Sequence, residues 1–358
     1  KDLRRPFSLY RLAGLGLGPM LKRGEKVFLA VLDGCDLSVF LELCETLPTE
    51  IGLALPPEKG DALSRGLLEG RAFRPLYSLP PTVTSRARRA IFAGEIPGNP
   101  VLDDAEALAA DATGDRKALE KCSPVAAFSR RLFLKGDLAD GGAALRKELE
   151  KPKHDLVAAV FNGIDDALSS KETTPMPALN AADVGEGFLD ALRKAVETGW
   201  TVVVTSDHGH TPFWSADRKV AGQAEGQRFR KGDISGEGAL VLSKEAVPGG
   251  PYECLWRVGA FYGPQRRGFH GGVGLEEMIV PLGFFGRVTA GLGRPLPPEW
   301  WSSREGVPAV DPALVPREAI VVSTPRPAEE LPDVLRRLFE TDAKALNALK
   351  ALAKHGRL

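Results

Sequence analysis

A chain of 358 residues, 43% of them hydrophobic, has the apolar material for one large core or for a core domain with a smaller appendage, which excludes a disordered chain. Its 47 Lys and Arg residues balance 47 Asp and Glu residues, so no global charge draws it to nucleic acid or to a membrane surface, and such binding must come from local patches. Cys35, Cys44, Cys122 and Cys254 are dispersed with no CxxC spacing, which excludes a zinc knuckle and a secreted disulfide framework and makes reduced thiols in a cytoplasmic setting the expectation.

Residues 1–24 read as a lead-in. Within them GLGLGP, at 14–19, has the glycines of a nucleotide-binding loop but precedes the first strand instead of following it, so it lacks the context of a phosphate cradle. The first strand is Lys26–Asp33 (KVFLAVLD), followed by Gly52–Leu55, Phe73–Leu79, Leu156–Phe161 (LVAAVF) and Thr201–Thr205 (TVVVT). Helical spacing of apolar residues falls between them, at Ser38–Leu47, Arg86–Ala93 and Gly187–Glu197. Strands of Val, Ile, Leu and Ala alternating with helices predict an α/β fold over residues 25–286, with a mostly parallel sheet and helices on both faces. Residues 97–150, polar and glycine-rich with a charged helix near Ala144–Glu150, read as an insertion or cap. Residues 287–317 form a proline-rich linker, and 318–358 a small α-rich C-terminal domain with a strand at Ile320–Ser323 and two helices within Pro327–Leu352. No apolar stretch approaches about 20 residues, so no membrane span is expected.

Ligands of such sheets bind beyond the carboxyl ends of the strands. There the sequence places Asp33 after LAVL, Asp165 and Asp166 after AVFNGI, and Asp207 and His208 after VVVTS. One Asp after a strand is ordinarily an Asx turn or a helix N-cap, and one His an ordinary satisfied side chain. Three such strand ends on one rim are harder to explain as caps, because their charges would repel; a divalent cation resolves the conflict. Mixed oxygen and nitrogen donors suit zinc first, with manganese or magnesium as alternatives.

Ahead of the helix at Arg86 lie Thr82, Thr84 and Ser85 in PPTVTSRARR. A hydroxyl there, close to free backbone N–H groups and a cation, is a candidate nucleophile, and equally an N-cap. His270 precedes two glycines in GFHGG, as a ligand loop requires. Arg86, Arg88 and Arg89, and further on Arg228, Arg230, Lys231, Arg266 and Arg267, either meet phosphate or face solvent.

The ordered set of an Asp after the first strand, PTVT before a helix, NGIDDAL, TSDHGHT and YGPQRRGFHGG followed by EEMIVPL resembles the alkaline phosphatase superfamily, and within it the PglZ domain of type-2 BREX phage-defence systems. The likeness spans roughly residues 25–286. It implies one or two divalent ions and a Thr nucleophile: Asp33, Thr84, Asp207 and His208 would hold one ion, Asp165 and His270 the other, and Thr84 would attack phosphorus. It further implies a metal-dependent phosphodiesterase or nuclease acting on a phosphate ester or nucleic acid, with Arg86, Arg266 and Arg267 toward the substrate and other defence subunits as partners.

The sequence departs from this pattern at one point. Where the superfamily has Asp-x-x-x-His, the fourth residue after Asp165 is Ser169, so Asp166 or His210 would have to complete the second site or contact substrate. That deficit motivates a rival reading, a scaffold subunit that keeps the metal-binding fold with little or no turnover. TVTSRAR lacks the proline of a sulfatase motif, which discounts sulfate esters, and His154 begins its strand, at the opposite rim.

Overall fold

The computed structural model describes residues 7–48, 51–53, 73–98, 101, 114–171, 179–233, 236 and 238–287. The expected linker and C-terminal domain therefore lie outside the described residues. In chain order the elements are β1 (Val27–Leu32), α1 (Leu37–Glu45), β2 (Ile51–Leu53), β3 (Phe73–Tyr77), α2 (Thr84–Ala93), β4 (Arg130–Phe133), α3 (Ala143–Glu150), β5 (Leu156–Phe161), α4 (Gly163–Leu168), α5 (Phe188–Glu197), β6 (Thr201–Ser206), β7 (Thr211–Pro212), β8 (Phe229–Lys231), β9 (Ala239–Leu242), β10 (Tyr252–Leu255), β11 (Gly268–Phe269), α6 (Leu275–Met278) and β12 (Ile279–Arg287).

The main sheet has seven strands in the order β2-β12-β6-β1-β5-β4, with β3 also on β12. β1, β4, β5 and β6 pair in parallel, and β12 pairs antiparallel with β6, β3 and β2, so β12 alone is reversed. Burial on both faces explains why the central strands are apolar at every position instead of alternating. Phe28, Ala30 and Leu32 join a core with α1, α3, α4 and α5. Val27, Leu29 and Val31 face a second core with α2 and the short helical turns ahead of β1, Leu9–Arg11, Ala13–Leu17 and Gly18–Lys22.

Two expectations change. Residues 130–133, inside the stretch expected to stand apart as an insertion, form β4 and extend the main sheet beside β5. An antiparallel sheet not foreseen, in the order β8-β10-β9, lies instead between β7 and β11 in the chain. It shares a small core with Val83, the residue just before α2. Within GLGLGP, Gly18 belongs to packing: it is buried, and a Cβ there would come within 2.8 Å of the Pro124 carbonyl oxygen.

Candidate active site

Parallel pairing in register brings the ends of β1, β5 and β6 level, since Leu32 lies beside both Phe161 and Ser206. Asp33 and Asp207 leave the sheet as immediate neighbours, 2% and 0% exposed. Asp33, Asp207 and His208 offer donor atoms that all lie within 4.8 Å of one another. One Asp207 oxygen, Oδ1, accepts the His208 N–H at 2.9 Å and the Gly34 N–H at 3.3 Å. The other, Oδ2, is buried with no hydrogen bond. A buried carboxylate oxygen left in that state is costly unless a cation or a donor meets it. The residues present therefore fit a divalent ion.

His208 is fully buried and its tautomer is set by the backbone: Nδ1 donates to the Gly209 carbonyl at 3.0 Å. Nε2 then carries the lone pair, and the Thr84 hydroxyl lies 2.9 Å from it. Burial is the main influence pushing this imidazole below its ordinary range; the Asp207 charge opposes it and His270 adds to it. An unfolded imidazole takes a proton near pH 6.5 while folded His208 resists, so above about pH 6.5 this group makes no difference and below it stability falls. Metal-free protein is expected to melt at a lower temperature near pH 5 than near pH 7 by this linkage, and His208→Gln to flatten the difference. An undiminished difference in the variant would place the titration elsewhere.

Thr84 is the first residue of α2, whose N-cap is Val83 with no side-chain cap. Neither threonine is thus spent as a cap. Thr82 serves differently: its hydroxyl donates to the Gly272 carbonyl at 3.0 Å and accepts the Gly271 N–H at 3.1 Å. Its carbonyl oxygen accepts from His270 Nδ1 at 3.2 Å. The His270 ring stacks on His208, with centroids 4.4 Å apart, and its Nε2 lies 3.7 Å from Asp165 Oδ1. The β7–β11 ladder, which joins the strands after His210 and before His270, holds these loops together.

The predicted residues divide. Asp33, Thr84, Asp165, Asp207, His208 and His270 converge. Asp166 turns away to an exposed ion pair with Lys135 at 2.7 Å. His210 is buried, with Nδ1 3.0 Å from the Gly34 carbonyl and 3.3 Å from Asp36, the residue capping α1, so that nitrogen braces the turn after β1. Ser169 Oγ stands 3.5 Å from Asp165 Oδ2, and the second position gathers Asp165 and His270 as its strong donors among the described residues. Arg86 is buried against the Pro80 and Pro97 carbonyls, with burial pushing its pKa down to about 10, and so holds its own loop instead of facing substrate. Arg228 is fully buried against Glu277, and Arg230 pairs with Glu253, which removes both from the expected phosphate track. Arg266 and Arg267 remain half-buried beside the His270 loop.

Three contributors, Asn162, Asp115 and Glu277, were missed, and Arg88 meets carboxylates instead of phosphate or solvent. Arg88 and Asn162 both reach Asp33 Oδ2, at 2.9 and 2.6 Å. Arg88 is four positions after Thr84, a spacing that puts both on one helix face and was readable in the sequence. Asp115, which pairs with Arg88, and Glu277, which gathers the glycine loop, have no local signal. Gly209 is needed for close approach, since a Cβ there would sit 2.0 Å from the Glu276 carbonyl oxygen.

The sequence matches, over residues 16–284, the family described as the BREX system PglZ alkaline phosphatase-like domain. No curated protein matches it significantly. Among solved structures, it is similar to phosphonoacetate hydrolase from Sinorhizobium meliloti 1021 in complex with phosphonoacetate, at a TM-score of 0.47 and 16% identity over 76% of this chain and 92% of that one. It is also similar to murine ectonucleotide pyrophosphatase/phosphodiesterase 5, at 0.45 and 13% over 73% and 88%, and to the human protein of that name, at 0.45 and 15% over 73% and 88%. No helix among the described residues is long and apolar enough to cross a membrane. With the family matched over most of its length and the strand-end ligand group in place, the chain belongs to the PglZ family of BREX systems, as an alkaline phosphatase-like domain.

Proposed function

We propose that this domain is a metal-dependent phosphoester hydrolase, acting on a phosphodiester or nucleic acid in a type-2 BREX system in the cytoplasm, with Thr84 as nucleophile. The observation that carries the reading is the Thr84 hydroxyl, 2.9 Å from the lone-pair nitrogen of a buried, neutral His208, with the Asp207 Oδ2 that no hydrogen bond satisfies 3.9 Å from the same nitrogen. Asp33, Thr84, Asp207 and His208 would hold one divalent ion, zinc by donor chemistry, and Asp165 with His270 a second, weaker one. When bound, such ions supply Lewis acidity toward phosphoryl oxygens and toward the attacking hydroxyl.

The chain's own residues do the rest. Without an ion the Thr84 hydroxyl donates to His208 Nε2, which keeps its oxygen 2.9 Å from the nitrogen that would bind the cation and so within the site. The N-terminus of α2, uncapped by any side chain, offers N–H groups to an anionic phosphoryl group. Arg266 and Arg267, half-buried ahead of His270, would meet the remainder of the ester, and other BREX subunits are the expected partners.

Purified protein is expected to hydrolyse bis-p-nitrophenyl phosphate, to lose that activity on chelation, and to regain it with zinc or manganese. A protein whose melting temperature rises with metal while no ester is cleaved with any of zinc, manganese, magnesium or cobalt would instead be a scaffold. The two-donor second position, with Ser169 in place of a stronger ligand, is what favours that outcome.

A further inference from the structure

Arg88 brings to this site a charge that the proposed chemistry does not use. Its guanidinium is buried, with Nη1 2.9 Å from Asp33 Oδ2 and Nε 2.7 Å from Asp115 Oδ2; Asp115 is itself 0% exposed. Asn162 donates to the same Asp33 oxygen at 2.6 Å. The protein thus holds Oδ2 of Asp33, and Oδ1 is left on the side of His208, whose Nε2 lies 3.6 Å away.

A fixed guanidinium hydrogen-bonded to a cation ligand does two opposed things. It orients the carboxylate and offsets the repulsion between Asp33 and Asp207 in the metal-free protein. It also repels the ion that the carboxylates attract, and burial strengthens that effect because little water screens it. Asp115 counters part of the Arg88 charge from the far side.

We propose that Asp115, Arg88 and Asp33 form a charge-setting chain, in which Arg88 is a positioning residue that turns Asp33 Oδ1 toward the ion and limits how tightly it is held. Asp115 sets how much of the Arg88 charge the site feels. The inference rests on the cation-binding part of the proposed function and is independent of hydrolysis.

The test is the dissociation constant for Mn2+, by isothermal titration of full-length protein freed of metal with a chelator. Arg88→Met is expected to bind Mn2+ about tenfold more tightly and Asp115→Asn about threefold more weakly. Opposite directions are the signature, because loss of a merely structural brace would weaken binding in both. Two weakened variants, or two unchanged ones, overturn the inference. If Arg88→Met does not fold without metal, Asp115→Asn decides: weaker binding with an unchanged circular dichroism spectrum supports the inference, and unchanged or tighter binding overturns it. Wild-type protein that binds no Mn2+ sinks the metal-dependent reading and this inference together. Protein that binds Mn2+ with the predicted variant pattern but cleaves nothing sinks the hydrolase reading alone.

Discussion

Thr84→Ala is expected to lower kcat on bis-p-nitrophenyl phosphate by about a thousandfold or more, the scale on which an enzyme loses its nucleophile. The structure separates this loss from unfolding. Thr84 opens α2 without capping it, and its hydroxyl bonds to His208 alone among the contacts described, so stability should change by about 0.5 kcal/mol or less. Thr84→Ser keeps a hydroxyl at the same place, though with freer χ1, and is expected to retain a measurable part of the rate. Thr82→Ala provides the contrast: it breaks the bonds to Gly271 and Gly272 that seat the His270 loop, and its effect should extend to stability. Steady-state kinetics and thermal melts on the three variants distinguish these outcomes. Near wild-type turnover in Thr84→Ala would move the nucleophile elsewhere.

Arg228→Met should reduce stability by about 3–5 kcal/mol, as removal of one partner from a buried ion pair does. Arg228 and Glu277 are both 0% exposed, with Nε and Oε2 3.0 Å apart. Glu277 also accepts the Gly272 and Gly274 N–H groups at 2.8 and 3.0 Å, while Arg228 donates to the carbonyls of Leu255, Arg257 and Ala260. The pair therefore joins the antiparallel sheet to the glycine loop after His270. Without the guanidinium, a carboxylate remains in the interior with backbone donors but no counter-charge. Arg228→Met combined with Glu277→Gln should regain much of the loss, because a neutral amide needs no partner charge. Urea unfolding of the singles and the double measures the coupling directly, and a loss below about 1 kcal/mol in Arg228→Met would show the pair to be dispensable.

What was legible in the sequence had local causes. LAVLD, AVFNGID and VVVTSDH each join a two-face-buried strand to polar residues at its carboxyl end, and both the sheet and the convergence of Asp33, Asp165 and Asp207 follow from that pattern. Thr84 was one of three hydroxyl candidates until the family resemblance chose it; α2 beginning at Thr84 and not at Arg86 shows why its side chain is free of capping. The arginines were the least legible, because spacing cannot tell a buried guanidinium from an exposed one. Arg86 and Arg228 lie inside, against carbonyl groups or Glu277, and Arg88 is linked to Asp115 through a fold that no local pattern reveals. β4 escaped notice because RRLF opens on two arginines at a sheet edge, where Arg131 is exposed and Arg130 is half-buried against backbone carbonyls.

The short β7–β11 ladder has a further consequence, for how this architecture tolerates change. Pro212 lies beside Gly268 and Thr211 beside Phe269, so the intervening residues 213–267 leave and re-enter the domain through one narrow doorway. An excursion pinned at its base alters chain-closure entropy only slowly with length, by about 0.6 kcal/mol per doubling. A change of length within residues 213–267 should therefore cost little at the ladder, which keeps Thr211 and Phe269 paired next to His210 and His270. Arg228 serves both ends of this arrangement, since it gathers the Leu255, Arg257 and Ala260 carbonyls inside the excursion and meets Glu277, beyond the ladder, through its Nε.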